Sequence, residues 1–408
     1  MAGRRKVKIL YLHRTQGRGV EAVHIRGMAD AMREAGHDVV VFGPRGTDPF
    51  ASDSTDSTSG AAALFARHAP ELLFELAEMA YDSHLFRRLT TVCADFAPDL
   101  LYERYALFGR AGGLVASRLG IPHVLEVNYT CSDPLVRRRS RLLAPLFRRA
   151  EAGAFRRATL LAPVSSRLVD RVARHGVPEQ KVLLTPNGVS RNWWREVAKT
   201  NPLPLPGLPA GEPVVGFVGG FYPWHGVARL VEAFRRCREA GLPGSLLLLG
   251  DGPERPLIEA QLEEAGLADH ALLPGTIAHE ELAPWIAAMA ICVIPCSNDY
   301  GSPMKVFEYM GLGRAVLAPD LPPLRDVIAD GATGRLFAAG ADEDPVAPLQ
   351  AGLAELLSDR GMRRAFAVAG RALVGEHHTW QENWRRIEIA LGRVKSNAPQ
   401  QPCTHGLP

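Results

Sequence analysis

With 408 residues, 47% of them hydrophobic and 22% charged, the chain is long enough for two domains with sizeable cores. A formal net charge of +3 gives no argument for a nucleic-acid partner. The six cysteines (Cys93, Cys131, Cys237, Cys292, Cys296, Cys403) are scattered, and the Cys292/Cys296 pair has no second pair or nearby histidine to complete a zinc site. A reducing cytoplasm is therefore the expected location. Val7 to Leu12 reads as a first strand, not a signal peptide, and no run of about 18 apolar residues is present to span a membrane.

Lys6 to Leu12 has the look of a buried parallel strand, followed by the loop Thr15 to Glu21. A helix from about Ala22 to Ala35 then stops at Gly36, and Val39 to Phe42 forms the second strand. Strand, glycine loop, helix and strand in that order make a right-handed crossover unit of an open α/β sheet. Gly17 and Gly19 allow a close backbone approach to a ligand, but the loop lacks a full dinucleotide fingerprint. Residues 51–60 are a polar low-complexity loop, and helical periodicity returns from about Ala61 to Phe96. Leu100 to Glu103 and His123 to Asn128 read as strands flanking a helix from Gly109 to Leu119. Their ends carry Tyr102, Glu103, Arg104, Glu126 and Asn128, at the edge where open α/β sheets bind ligands. Glu126 needs a partner if buried, and Arg104 is the nearest in kind. Arg137 to Arg157 holds eight arginines among leucines and phenylalanines. It reads either as a solvated helical face or as a surface for an anionic membrane or lipid-phosphate acceptor. A strand at Leu160 to Ser165, a helix to Gly176 and the turn Pro186 to Val189 follow.

A proline-rich stretch, residues 201–213, separates this half from a second that restarts the pattern. Val214 to Val218 is a strand, Gly219 to Gly226 a glycine-rich turn and Val227 to Ala240 a helix. Ser245 to Leu249 is a strand ended by Gly250-Asp-Gly-Pro253, and Ala271 to Leu273 a short strand before Gly275. Helices at 254–265 and 280–289, a strand at Arg314 to Ala318, a helix at Leu324 to Ala329 and mostly helix over 345–392 complete the expectation. Between Ile291–Pro295, an apolar strand, and Met310 lies Asp299-Tyr-Gly-Ser-Pro-Met-Lys-Val-Phe-Glu308. There Ser302 is expected as N-cap and Pro303 at the first helical position, with Lys305 and Glu308 on one side. Alone, this is either an ordinary capped helix or an anion site.

The series Pro186-Asn-Gly-Val189, Gly219 to Gly226, Gly250 to Pro253, Pro274-Gly-Thr276, Ser302 to Glu308, Gly311 to Ala318 and Asp330 to Gly334 resembles the retaining glycosyltransferases of the GT-B fold, family 4 type, over about residues 6–392. The resemblance implies an α/β protein with two Rossmann-like, doubly wound domains facing a cleft. An acceptor-side domain would span 1–188, a linker 189–212 and a nucleotide-sugar domain 213–370. A helix at 371–394, around Trp380 and Trp384, would cross back to the first domain, and 395–408 would form a disordered tail. It implies ribose binding by Glu308, base contacts at Thr276 and Ile277, and diphosphate and sugar contacts along Gly301, Ser302, Pro303, Met304 and Lys305. Gly19, Gly219, Gly220 and Gly250 would complete the donor-binding loops.

The sequence departs from the family pattern at several of these positions. Tyr300 stands where the first glutamate of a pair is usual, Gly220 and His225 where an arginine and a lysine clamp the diphosphate, and Asn128 where a histidine is common. Lys305 and His225 are then expected to stabilise the leaving diphosphate, with Asn128 and Glu126 at the acceptor. Asp342-Glu-Asp344 resembles a metal signature of another glycosyltransferase fold but reads here as the acidic start of a helix. The expected reaction transfers a hexosyl group from a nucleotide sugar, UDP by family frequency with GDP and ADP open, without metal or other cofactor. Its acceptor would be a lipid-linked saccharide of cell-surface polysaccharide or glycolipid synthesis at the inner membrane face. A soluble natural product is the alternative acceptor. An epimerase or a non-catalytic nucleotide-sugar-binding protein is the alternative of another class.

Overall fold

The structure, a computed structural model, describes residues 6–51, 69–133, 139, 142–340 and 344–397. Contacts divide the chain into two compact units. One comprises Met1–Val164, Leu168–Thr185 and Asn383–Pro408; the other Ser165–Arg167 and Pro186–Glu382. Residues 189–212 thus belong to the second unit.

The first unit has five strands, β1 (Lys8–Leu12), β2 (Asp38–Phe42), β3 (Leu100–Arg104), β4 (His123–Val127) and β5 (Leu160–Pro163), in spatial order β2-β1-β3-β4-β5. All neighbours are parallel. The helices are α1 (Gly19–Glu34), α2 (Glu71–Phe96), α3 (Ala111–Leu119), α4 (Ala144–Arg157) and, from Leu168 onward, α5 (Ser166–Ala173). The strand order reverses between β1 and β3, so the first unit's ligand crevice belongs at the ends of those two strands. Helix α1 begins at Gly19, three residues before the expected Ala22. Gly19 therefore opens the helix, at φ +56, a left-handed conformation that favours glycine.

The second unit has β6 (Val214–Val218), β7 (Ser245–Leu249), β8 (Ala271–Gly275), β9 (Ile291–Val293), β10 (Ala315–Pro319) and β11 (Arg335–Phe337). They run parallel in the order β11-β10-β9-β6-β7-β8, which reverses between β6 and β9. Its helices are α6 (Arg191–Glu196), α7 (Val227–Glu239), α8 (Arg255–Glu264), α9 (Leu282–Ala287), α10 (Met304–Gly311), α11 (Pro322–Arg325), α12 (Ala347–Ser358) and α13 (Arg360–His377). Strand side chains alternate between two cores, as a sheet covered on both faces requires. Leu246, Leu248, Ile291, Val293, Ala315 and Leu317 join one core; Leu247, Leu249, Cys292, Ile294, Val316 and Ala318 join the other. Helix α7 buries Val227, Leu230, Val231, Phe234 and Cys237, spaced at three and four residues, against the first of these. Each such side chain contributes about 1.5–3 kcal/mol by leaving water.

The last helix, α14 (Trp380–Asn397), belongs to the first unit from Asn383 onward. There Trp384 packs edge-on against His37 at 5.5 Å and Arg386 donates to the Leu184 carbonyl at 2.9 Å.

Candidate functional site

The second unit brings together most of the expected donor-site residues at its β6/β9 switch point. Strand β6 runs into Gly219 and Gly220, β7 into Gly250, and β8 into Thr276 and Ile277. Backbone bonds tie these loops into one rim: Gly219 N–H donates to Leu249 at 2.9 Å, Gly250 to Gly275 at 2.9 Å and Phe221 to Asp251 at 2.8 Å. The rim tolerates no side chains at its centre. A methyl at Gly250 would lie 2.0 Å from the Gly219 carbonyl oxygen, and one at Gly219 would lie 2.8 Å from Lys305 Nζ. Thr276 is exposed, while Ile277 is half-buried against the core.

The start of α10 differs from the expected cap. The helix begins at Met304, with Pro303 as N-cap and no side-chain acceptor for its first N–H groups. The Ser302 hydroxyl instead accepts from the Asn187 N–H at 3.0 Å, and Asn187 Nδ2 donates to the Ser302 carbonyl at 2.6 Å. Asn298 Oδ1 takes the amides of Gly301 at 2.5 Å and Tyr300 at 3.2 Å. The Gly301 amide, expected to face a ligand, is therefore engaged, and the available donors lie in the first helical turn. Uncapped N–H groups at a helix start favour an anion. The Tyr300 carbonyl accepts from Ser165 Oγ at 2.5 Å, which anchors the loop further.

Lys305 and Glu308 share a helix but turn to different partners. Lys305 Nζ sits 4.4 Å from the centre of the Phe217 ring. No carboxylate lies within ion-pair distance of it among the described residues. Burial pulls its pKa down to about 8, opposed by the charge of Glu308, so the ammonium is still charged at neutral pH. Glu308 Oε1 meets His279 Nε2 at 2.8 Å. His225 Nδ1 contacts the Gly220 carbonyl, which can only accept, so Nδ1 carries the hydrogen. Burial lowers the His225 pKa, Lys305's charge lowers it further, and the Gly220 bond opposes both. The imidazole is thus neutral with a lone pair on Nε2.

In the first unit, Glu126 and Asn128 lie in one buried cluster. Glu126 Oε2 accepts from Tyr102 Oη at 2.6 Å and His24 Nε2 at 2.9 Å; Oε1 accepts from Arg104 at 2.8 Å and Asn128 Nδ2 at 2.6 Å. Burial alone would raise its pKa, but His24, Arg104 and Tyr102 together hold the carboxyl well below the usual range. With four donors on two oxygens the carboxylate is saturated. His24 itself is kept neutral-leaning by burial, which outweighs the pull of Glu126. Gly19, on the same unit, opens α1 with no side-chain cap on that helix.

Sequence reasoning missed His24, Asn187, His279 and Asn298. Asn298 carried a signal, since an asparagine three residues before a turn glycine commonly binds the following amides. The other three are single polar residues whose partners lie far along the chain.

The basic segment is only partly described, since residues 134–138, 140 and 141 fall outside the described residues. Arg139 is a bound residue, paired with Glu78 and lying 5.4 Å from the Phe74 ring centre. Asp342 and Glu343 also lie outside the described residues. Asp344 pairs with Arg236.

A family model described as glycosyl transferase 4-like domain matches residues 19–188, and one described as glycosyl transferases group 1 matches residues 212–359. The chain is 29% identical over 325 residues to a 2-deoxystreptamine N-acetyl-D-glucosaminyltransferase of Streptomyces fradiae, covering 74% of this chain and 75% of that one. It is also 29% identical to a 2-deoxystreptamine glucosyltransferase of Streptomyces kanamyceticus, covering 71% and 76%. A GDP-mannose-dependent alpha-mannosyltransferase of Mycolicibacterium smegmatis is 27% identical, covering 89% and 92%. Among solved structures, sucrose-phosphate synthase from Thermosynechococcus elongatus superposes with a TM-score of 0.70 at 20% identity, over 96% of this chain and 100% of that one. The Anabaena protein HepE in complex with UDP superposes with a TM-score of 0.68 at 18% identity, over 95% and 100%.

Proposed function

The chain belongs to the glycosyltransferases of the GT-B fold, and we propose that it moves a sugar from a nucleoside diphosphate donor to an acceptor hydroxyl with retention at the anomeric carbon. The observation that carries the donor half is Lys305, a half-buried, charged ammonium without a carboxylate partner among the described residues, in the first turn of an uncapped helix. A diphosphate supplies the missing negative charge.

The barrier is charge separation between an oxocarbenium-like sugar and the departing diphosphate. Lys305 and the first N–H groups of α10 stabilise the diphosphate where charge develops. His225 is neutral before the donor arrives. A diphosphate favours its protonated form, which donates through Nε2. Glu308 accepts from the ribose hydroxyls, with His279 fixing one carboxylate oxygen. Glu126, saturated by donors, positions Asn128 and Arg104; Asn128 presents its amide oxygen to the acceptor hydroxyl. A saturated carboxylate is a poor nucleophile, which supports same-face attack with the leaving phosphate taking the acceptor proton. The positive charge comes from the chain's own groups, so the proposed reaction proceeds with metal chelated.

The names of the Streptomyces relatives support a soluble aminocyclitol as acceptor. The test is to incubate the protein with UDP-, GDP- and ADP-sugars, with EDTA, and with or without 2-deoxystreptamine. Acceptor-stimulated nucleotide release and a product with the donor's anomeric configuration support the reading. An inverted product, or no release with any donor, overturns it.

A second reading, a lipid-linked acceptor at a membrane surface, rests on exposed leucines at two helix starts. Leu72, Leu73 and Leu76 at the start of α2, and Leu142 and Leu146 around the start of α4, are exposed, as are Arg148 and Arg149 on α4. No helix among the described residues is long and apolar enough to cross a membrane.

A further inference from the structure

The second unit holds a cavity of about 440 Å³ at the C-terminal end of α10, the end opposite Lys305. Eight residues at about 1.5 Å each separate the two ends by roughly 12 Å. Thr200, Leu312 and Val368 form part of its wall, and Arg314, Arg364 and Arg371 bring three guanidinium groups to it.

Two of these arginines, Arg314 and Arg371, have carbonyl partners, and among the described residues none of the three has an acidic one. Arg314 donates to the carbonyls of Ala287 at 2.9 Å, Met289 at 3.1 Å and Leu312 at 3.1 Å. Arg371 donates to the carbonyls of Gly311 and, at 2.7 Å, Trp194. Among the described residues no carboxylate comes within 4.0 Å of any of the three. A carbonyl satisfies a donor but does not neutralise a charge. Burial, and then the charge of Arg314, depress the pKa of Arg371, which reports two like charges held close together. Capping of helix-end carbonyls accounts for Arg314 and Arg371. It does not account for Arg364, which is exposed and makes no bond to the rest of the chain. Each guanidinium has five N–H donors, so even the two capping arginines keep some in reserve.

We infer that this cavity is a second anion site that binds a sugar phosphate, with Arg314, Arg364 and Arg371 on the phosphate and the sugar against Leu312, Val368 and Thr200. A phosphate monoester carries close to two negative charges and three acceptor oxygens, which suits forked guanidinium donors better than a lone carboxylate does. The volume lies within the range of small-molecule sites, about 300–1,000 Å³. It leaves room for a sugar ring beyond the phosphate. The inference stands independently of the donor assignment.

Calorimetric titration of the full chain with glucose 6-phosphate, at fixed ionic strength, tests it. One saturable site is expected, with inorganic phosphate binding about tenfold more weakly. Arg364→Glu should weaken glucose 6-phosphate binding by about tenfold or more, the size of one charge-assisted bond. Arg364→Ala should give a smaller loss. Both variants should keep the parent's melting temperature, since Arg364 is exposed and unbonded. Lys305→Ala should leave this binding within about twofold, because additivity holds for sites this far apart. No saturable heat, equal affinity for inorganic phosphate, or loss of binding with Lys305→Ala but not with Arg364→Glu would overturn the inference.

Discussion

Lys305 Nζ lies over the face of Phe217, 4.4 Å from the ring centre, and the ring is its substitute for a counter-ion. The contact keeps the ammonium at the switch point without neutralising it. Lys305→Ala is expected to weaken UDP, or whichever nucleoside diphosphate binds, by about ten- to a hundredfold, from the worth of a charged hydrogen bond of ~1.5–3 kcal/mol. The protonated form binds, so affinity should fall as pH rises through about 8 and fall less in the variant. Titrations between pH 7 and 9 check this. A wild-type affinity that does not change over that range would remove Lys305 from the diphosphate.

His225 makes a second pH-linked prediction of opposite origin. Its imidazole is neutral before the donor binds, with Nδ1–H on the Gly220 carbonyl. A diphosphate should pull a proton onto Nε2. Calorimetry near pH 7 in buffers of different ionisation enthalpy should therefore show proton uptake on binding, and His225→Asn should reduce it. Uptake that is unchanged in the variant would place the proton elsewhere.

Glu308 should read the ribose. Replacing it by alanine is expected to weaken the nucleoside diphosphate by about tenfold or more, for the loss of hydrogen bonds to a charged acceptor. The loss should vanish with a 2′,3′-dideoxy nucleotide, which has no hydroxyls to offer. A loss of equal size with both nucleotides would mean that Glu308 acts only through His279 and the local packing.

Much of the second unit was legible because its strands announce themselves locally. Val214–Val218 and Ser245–Leu249 are apolar runs bounded by proline and glycine, and the structure gives both the expected limits. Strand β11, three residues long, and helix α6, six long, have no period to read. The Ser302 cap failed for a non-local reason: its hydroxyl serves Asn187, 115 residues earlier. Glu126 was visible as an acid on an apolar strand, and Arg104 as its partner, since both sit at strand ends in register. His24 was hidden inside an ordinary helix, 102 residues from the carboxylate it contacts. Local chemistry therefore marked the loops, while the pairings that set their electrostatics depend on the assembled sheet.

The first unit should lose stability on mild acidification. His13 is 1% exposed, and burial, then Arg104, push its pKa down to about 4. From its ordinary value of 6.5 downward, the unfolded chain takes up a proton that the folded chain refuses, so stability falls until about pH 4. The size is about 3 kcal/mol at 1.36 kcal/mol per unit. Glu126 adds to the same trend at lower pH: its depressed pKa gives stability that is present above 4.5 and lost as pH falls below it. Urea unfolding between pH 7 and 4 should show the fall, and His13→Gln should flatten it above pH 4.5. Glu126→Ala should cost about 3–5 kcal/mol at pH 7, because it strands the buried Arg104 charge. An unaltered pH slope in His13→Gln would refute the histidine assignment.

The exposed leucines at the starts of α2 and α4 separate the two acceptor readings. The two helix starts are brought together by Arg139, which pairs with Glu78 on α2 and lies within 6.0 Å of the Phe147 ring centre on α4. Exposed leucines on both helix starts, with exposed Arg148 and Arg149 on α4, would gain by entering the headgroup region of an anionic bilayer. Arginines near such a surface contribute about 1 kcal/mol each. If the acceptor is lipid-linked, the protein should float with anionic liposomes and not with neutral ones. Replacing Leu72, Leu73 and Leu76 by serine should then abolish flotation at unchanged fold, while Arg148→Gln with Arg149→Gln should weaken it in a salt-dependent way. If the acceptor is a soluble aminocyclitol, neither set of changes should alter transfer to that acceptor. Flotation that survives both sets would mean this patch is not the membrane contact, and transfer to a soluble acceptor without any flotation would reject the lipid-linked reading.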